Sequence, residues 1–167
     1  MAERLLETPV FAIEAFPVET REGTRKYFRL RLPDWVNVAC RTTDGRWVLI
    51  RQHRWGIDQG TLEVPGGVVE PGEDAGVAGL RELVEETGYG GGALESLGWV
   101  HPNPAIQDNR CHLFLLRDAV RIAEPHLDPG EDIEVTLLTT DEVRAALASG
   151  AITHALAALS LTRALAR

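Results

Sequence analysis

Three carboxylates, Glu82, Glu85 and Glu86, fall within five residues in the stretch GLRELVEETGY. On a helix, at about 100° per residue, they share an arc of roughly 100°. Like charges so placed repel by about 0.2–0.5 kcal/mol per pair. Gly76 and Gly79 weaken the same helix by about 0.8–1 kcal/mol each relative to Ala. One reading is a solvated acidic face. The other is a site for a hard divalent cation, Mg²⁺ or Mn²⁺, that neutralises the crowd. The preceding loop favours the cation. In Glu70-Pro71-Gly72-Glu73, Pro suits position i+1 and Gly position i+2 of a type II turn. Asp74 is then placed to cap the helix, with Glu73 at its positive end. Gly66 and Gly67 follow the run Leu62-Glu63-Val64-Pro65, where glycines let backbone approach a ligand closely.

The elements that must hold this loop and helix are legible in outline. Val77, Leu80, Leu83, Val84 and Thr87 form the apolar side of the carboxylate helix, predicted to dock on a core with the acids outward. Val10–Val18, Lys26–Leu32, Trp35–Arg41, Trp47–Arg54, Leu94–Val100, His112–Leu116 and Ile133–Leu138 read as strands, and Thr43-Asp44-Gly45 reads as a hairpin turn. Asp141 is the expected cap of a short helix ended by Gly150. A longer helix is predicted over Ile152–Ala166, with Ile152, Leu156 and Leu159 on one face and Leu161 and Leu165 on another. Strands mixed with a few helices predict an α+β fold or an α/β/α sandwich.

With 167 residues, 44% of them hydrophobic, the chain suits one domain with a sizeable core. The net charge of −8 argues against a general nucleic-acid or anionic-membrane binder. No apolar run reaches transmembrane length, and MAERLLETPV lacks a signal-peptide core. Cys40 and Cys111 are too isolated for a disulfide framework or zinc site and read as core thiols of a reducing cytoplasm.

Gly67, Glu73, Arg81-Glu82, Leu83, Val84, Glu85-Glu86, Thr87, Gly88 and Tyr89 reproduce the spacing of the Nudix box. The one soft departure is Tyr89 where an aliphatic residue is usual. The chain therefore resembles the Nudix hydrolase family. Beyond the box, LEVPGG, HPNPAIQDNRCHLFLL and GEDIEV look like the branch that hydrolyses ADP-ribose and nucleoside diphosphate sugars.

The resemblance implies an α/β/α sandwich with a mixed β-sheet, and Mg²⁺ (or Mn²⁺) serving to hydrolyse a diphosphate linkage. It assigns metal binding to Glu82 and Glu86, with Glu85 and the Gly66 carbonyl as further ligands, and makes Glu73 and Arg81 a supporting ion pair. Arg54 becomes the phosphate or terminal-ribose ligand, with Arg51 beside it. Glu63 is either a sugar-hydroxyl acceptor or an edge charge, and Pro104 a marker of ADP-ribose specificity. Trp55 is either a base-stacking residue or core. The general base is Glu131, Asp128 or Glu85. A nucleotide sugar is the expected partner. Residues 1–34 would form N-terminal strands that build a homodimer, with Tyr27, Phe28 and Trp35 near the base, and 35–167 the hydrolase domain. Two alternatives are a house-cleaning nucleoside triphosphate hydrolase and a non-catalytic ADP-ribose sensor.

Overall fold

The computed structural model describes residues 2–127, 130 and 132–167. Three strands, β1 (Glu3–Glu7), β2 (Ala12–Thr20) and β3 (Gly23–Arg31), form a separate antiparallel sheet in the order β1-β2-β3. The remaining strands are β4 (Trp35–Thr42), β5 (Trp47–Arg54), β6 (Gln59–Glu63), β7 (Gly66–Val68), β8 (Tyr89–Gly90), β9 (Ala93–Val100), β10 (Cys111–Arg121) and β11 (Ile133–Leu138). They build one mixed sheet around the path β11-β5-β4-β10-β8; β6 pairs with β5, β7 with β4 and β9 with β10. Among the described residues, β4–β10 is the one parallel strand pairing in this sheet.

Strand alternation splits the core in two. On one face, Val36, Val38 and Cys40 of β4 pack with Ala78 and Leu83 of helix α1 (Ala75–Thr87). On the other, Ala39, Leu49, Leu113 and Leu115 pack with Val143 of α2 (Thr140–Ser149) and Ala157 and Leu161 of α3 (Ala155–Leu165). Successive strand residues point to opposite faces, so two helical layers are needed to cover both. The expected α/β/α sandwich is present.

Three local expectations are corrected. Helix α1 buries Ala78, Gly79, Leu83, Glu86 and Thr87, while Val77 is 57% exposed. The predicted stripe is rotated because the docking seam is made of small residues. A Cβ on Gly79 would meet the Val36 and Val38 methyls at 3.0 Å, so glycine lets α1 lie close on the sheet and carries Glu86 inward. Thr139, not Asp141, caps α2, through a reciprocal box with Glu142. Helix α3 starts at Ala155 with His154 as its cap, and its buried face is Ala157, Ser160, Leu161 and Ala164. Again small residues face the sheet, and Leu156 and Leu159 pack at the margin.

The N-terminal sheet joins the rest through few polar links: Leu30 N donates to the Ile106 carbonyl at 2.7 Å, and Arg31 bridges Asp108 at 2.8 Å. Leu5, Leu6, Tyr27 and Phe28 remain exposed on it. Cys40 and Cys111 are free and buried, their thiols pushed up to about 12 by desolvation. No helix among the described residues is long and apolar enough to cross a membrane.

Candidate active site

The glycine loop is threaded by pairing β7 with β4, Gly66 opposite Asn37 and Gly67 opposite Val36. This brings the loop against the second half of α1, where Glu82 and Glu86 lie. The Gly66 N–H donates to Glu86 Oε2 at 2.9 Å, and Glu86 is only 4% exposed. A Cβ on Gly67 would lie 2.4 Å from the Glu82 carboxylate. Both glycines are thus required by close approach rather than by backbone angle. Upstream, Glu73 N donates to the Glu70 carbonyl at 3.0 Å with Gly72 at φ +83°, and Asp74 caps α1 through Gly76 and Val77, as the turn chemistry requires.

Arg81 ties these parts together. Its Nε and Nη2 donate to the two Glu73 oxygens at 3.0 and 3.1 Å, and Nη2 also reaches the Val68 carbonyl. Its Nη1 donates to Glu82 and to Glu85, each at 3.0 Å. Glu73 first, then Glu82 and Glu85, hold the guanidinium strongly protonated, and Glu73 is held below the usual carboxylate range by the same contact. Arg81 fastens helix to loop and keeps neighbouring acids from splaying apart.

The donor set fits a divalent cation. Glu82 and Glu86 offer hard oxygens beside a loop whose missing Cβ leaves room for the carboxylate. Glu85 stands next to them, its side chain 45% exposed. Among the described residues, no three His, Cys, Asp or Glu side chains are already grouped as ligands. The Gly67→Ala protein tests the cradle: the fold should persist, because Glu82 is a flexible side chain. Displacing that carboxylate by about 1 Å should still cut kcat by roughly 10²-fold, read by steady-state kinetics beside a melting curve. Gly66→Ala is expected to fold poorly instead, since its Cβ meets the Val36 carbonyl at 2.1 Å.

Next to the loop opens a cavity of about 1030 Å³, lined by Trp35, Arg54, Trp55, Gly66, Gly67 and His154 among others. Gly130 and Asp132 also border it. Glu131 and Asp128, expected as candidate bases, lie outside the described residues. Gln52, His53 and Arg54, at the end of β5, line the cavity; Arg51 is exposed and does not line it. Pro104 sits exposed in the turn that meets β3, outside the cavity of its own chain. Trp55 is 80% exposed at the cavity edge, with His53 edge-on at 4.5 Å.

Glu63 is 1% exposed and lies beneath the lining. Arg54 Nε and Nη2 donate to its two oxygens, each at 2.8 Å, and the Thr61 hydroxyl donates at 2.5 Å. His154 Nδ1 stands 3.0 Å from Glu63 Oε2 and 3.4 Å from Ala157 N. One ring nitrogen cannot both donate and accept. The shorter contact to a buried carboxylate decides, so Nδ1–H donates to Glu63, and in that tautomer the 3.4 Å approach of Ala157 N is a contact without a side-chain cap bond. His154 was not legible as a site residue. Its only signal was position, at the start of a helix whose end in space the sequence does not specify.

Burial alone would raise the Glu63 pKa, but Arg54, Thr61 and His154 hold it below the usual range. Burial lowers that of His154, outweighing Glu63. Both groups therefore bind protons more readily when unfolded, so both contribute stability that falls with pH. Unfolding by urea should show stability dropping below about pH 6.5, the ordinary His value, and again below about 4.5, the Glu value. His154→Asn should flatten the first step; an unchanged profile would remove His154 from the account.

A mixed sheet between helical layers, with a glycine loop feeding a carboxylate helix beside a large cavity, defines a Nudix-type fold and site. The chain belongs to the NUDIX domain family, whose pattern matches residues 32–157, and is a Nudix hydrolase. It is similar to the methanol dehydrogenase activator of Bacillus methanolicus, 32% identical over 142 residues, 84% of this chain and 77% of the relative. It is also similar to an ADP-ribose pyrophosphatase of Bacillus subtilis, 32% identical over 66% of this chain and 60% of the relative. A crystal structure of an ADP compounds hydrolase superposes with TM-score 0.87 at 22% identity, covering 99% of this chain and 90% of that one, a likeness of fold.

Proposed function

We propose that the protein hydrolyses the diphosphate linkage of ADP-ribose or a nucleoside diphosphate sugar, giving a nucleoside monophosphate and a sugar phosphate, with Mg²⁺ as the preferred cation. The carrying observation is the convergence on one 1030 Å³ cavity of the glycine loop, a preset arginine and two tryptophans. Its size suits a dinucleotide-like molecule rather than a lone phosphate. The names of the Bacillus subtilis pyrophosphatase and the ADP compounds hydrolase support the same substrate class.

Glu82 and Glu86 would hold the cation, with Glu85 and the Gly66 carbonyl as further ligands. Bound there, it supplies charge neutralisation at the diphosphate and acidifies the attacking water. Arg81 keeps the carboxylates and loop in register through Glu73. Arg54, locked by Glu63, presents a guanidinium of fixed position to a phosphate or ribose, so little is lost in ordering it on binding. Trp35 and Trp55 offer flat faces to a base. Removal of the water proton falls to Glu85, or to Glu131 or Asp128, which lie outside the described residues. The exposed apolar side chains of β1–β3 support residues 1–34 as a dimerisation element bringing Tyr27 and Phe28 to a partner's pocket. The free buried thiols suit a cytoplasmic setting.

The test is a substrate panel with Mg²⁺ and with Mn²⁺: ADP-ribose, ADP-glucose, GDP-mannose, UDP-glucose and a nucleoside triphosphate, with products identified. Preferred turnover of the triphosphate would overturn the reading. Sedimentation showing a monomer at assay concentration would remove the dimer.

A further inference from the structure

Away from the cavity, a second hollow of about 260 Å³ is bordered by Arg41, Arg117, Arg144 and Arg167, together with Trp47 and Thr140. The two hollows occupy opposite ends of shared elements. Trp35 of β4 and Leu156 of α3 line the first; Arg41 of β4 and Leu165 of α3 line the second. Six residues of strand span about 20 Å, and the length of α3 is about 15 Å.

The chain as a whole carries a formal charge of −8, so four guanidinium groups around one small hollow reverse the local sign. Nearby acids cancel only part of this. Arg117 bridges Glu95 at 2.5 Å, and Arg167 approaches the same carboxylate at 3.8 Å. Arg144 lies 3.5 Å from the exposed Asp141. Arg41 has no carboxylate at bridging distance among the described residues; it donates to the Gly45 carbonyl and lies over the Trp47 ring at 5.9 Å. Among the described residues, the side-chain carboxylates that bridge these four cations are those of Glu95 and Asp141. Exposed pairs of this kind are weak enough to exchange for a better anion.

The floor is apolar. Trp47 is buried there, its indole N–H donating to Thr140 Oγ1 at 3.0 Å, beside Leu115 and Ala164. Thr140 opens α2, so the positive end of that helix adds to the same field. A hollow of this volume is too small for a dinucleotide. Forked donors over an apolar floor match a tetrahedral oxyanion carrying a small organic group.

We propose that this second hollow is a binding site for a small phosphomonoester dianion, gripped by Arg41 and Arg144 and seated against Trp47. The site is separate from the catalytic cavity and does not depend on which diphosphate the enzyme cleaves.

The experiment is calorimetric titration of the full chain, stripped of divalent cations, with inorganic phosphate and with ribose 5-phosphate. The unmutated protein is compared with Arg41→Gln/Arg144→Gln. One saturable binding event should weaken at least about tenfold in the double variant, the scale expected for lost charged hydrogen bonds, while hydrolysis is unchanged. Tighter binding of ribose 5-phosphate would assign the site to esters; equal affinity would assign it to phosphate itself. Identical titrations of the two proteins would overturn the proposal. Should the double variant fail to fold, phenylglyoxal labelling of the unmutated chain, mapped by mass spectrometry, decides. Protection of Arg41 and Arg144 by phosphate is expected, and labelling indifferent to phosphate would overturn it.

Discussion

Glu86→Gln is expected to abolish nearly all hydrolysis while leaving the fold intact. The side chain is buried and its Oε2 accepts from the Gly66 N–H; a Gln carbonyl oxygen accepts the same bond. The substitution therefore keeps the shape and the bond to Gly66 while removing a negative charge. If that charge holds a cation on the diphosphate, the loss is several kcal/mol of transition-state stabilisation, or about 10²–10⁴-fold in kcat. Saturating Mg²⁺ should not restore it. The measurement is kcat across a Mg²⁺ titration, with a melting curve as control. Activity within threefold of the unmutated enzyme, at about 0.7 kcal/mol, would remove Glu86 from the metal site.

The second large effect falls on Arg54. Arg54→Ala strands Glu63, a carboxylate 1% exposed that the guanidinium holds with two bonds. Breaking a fully buried pair costs about 3–5 kcal/mol. The Arg54 side chain is 42% exposed, and Thr61 and His154 still serve Glu63, so about 2–3 kcal/mol is expected. For a chain of this size that lowers Tm by roughly 4–12 °C. Adding Glu63→Gln should recover part of the loss, because no buried charge then lacks its partner. Activity should not recover with it: KM for the diphosphate substrate should stay raised if Arg54 is the phosphate ligand proposed above. A double variant no more stable than Arg54→Ala would show that Glu63 was not the cause.

These two residues mark the boundary between what the chain announces and what folding decides. The box spacing, the type II turn at Pro71-Gly72 and the Asp74 cap are local chemistry: each depends on residues within one turn, so composition and order suffice. The same holds for β5, Trp47–Arg54, and β11, Ile133–Leu138, which follow their predicted limits because alternation between two buried faces leaves little freedom. Helix α1 was predicted to bury Val77, Leu80, Leu83, Val84 and Thr87; the structure buries Leu83 and Thr87 but leaves Val77 and Leu80 exposed and buries Ala78, Gly79 and Glu86 beside them. Hydrophobic periodicity weighs size, whereas the distance of closest approach to the sheet is set by the residues that are absent in bulk.

The sequence by itself determined the family, the carboxylate helix and the candidate ligands, because these rest on contacts between near neighbours in the chain. Only the tertiary structure decided that Glu63 is a buried anchor beneath the cavity, held by Arg54 nine residues away and by His154 from the far end of the chain. It also drew four arginines from separate elements into one hollow. Such meetings depend on how strands and helices pack in three dimensions, and no local propensity encodes which distant side chain will arrive beside a given charge.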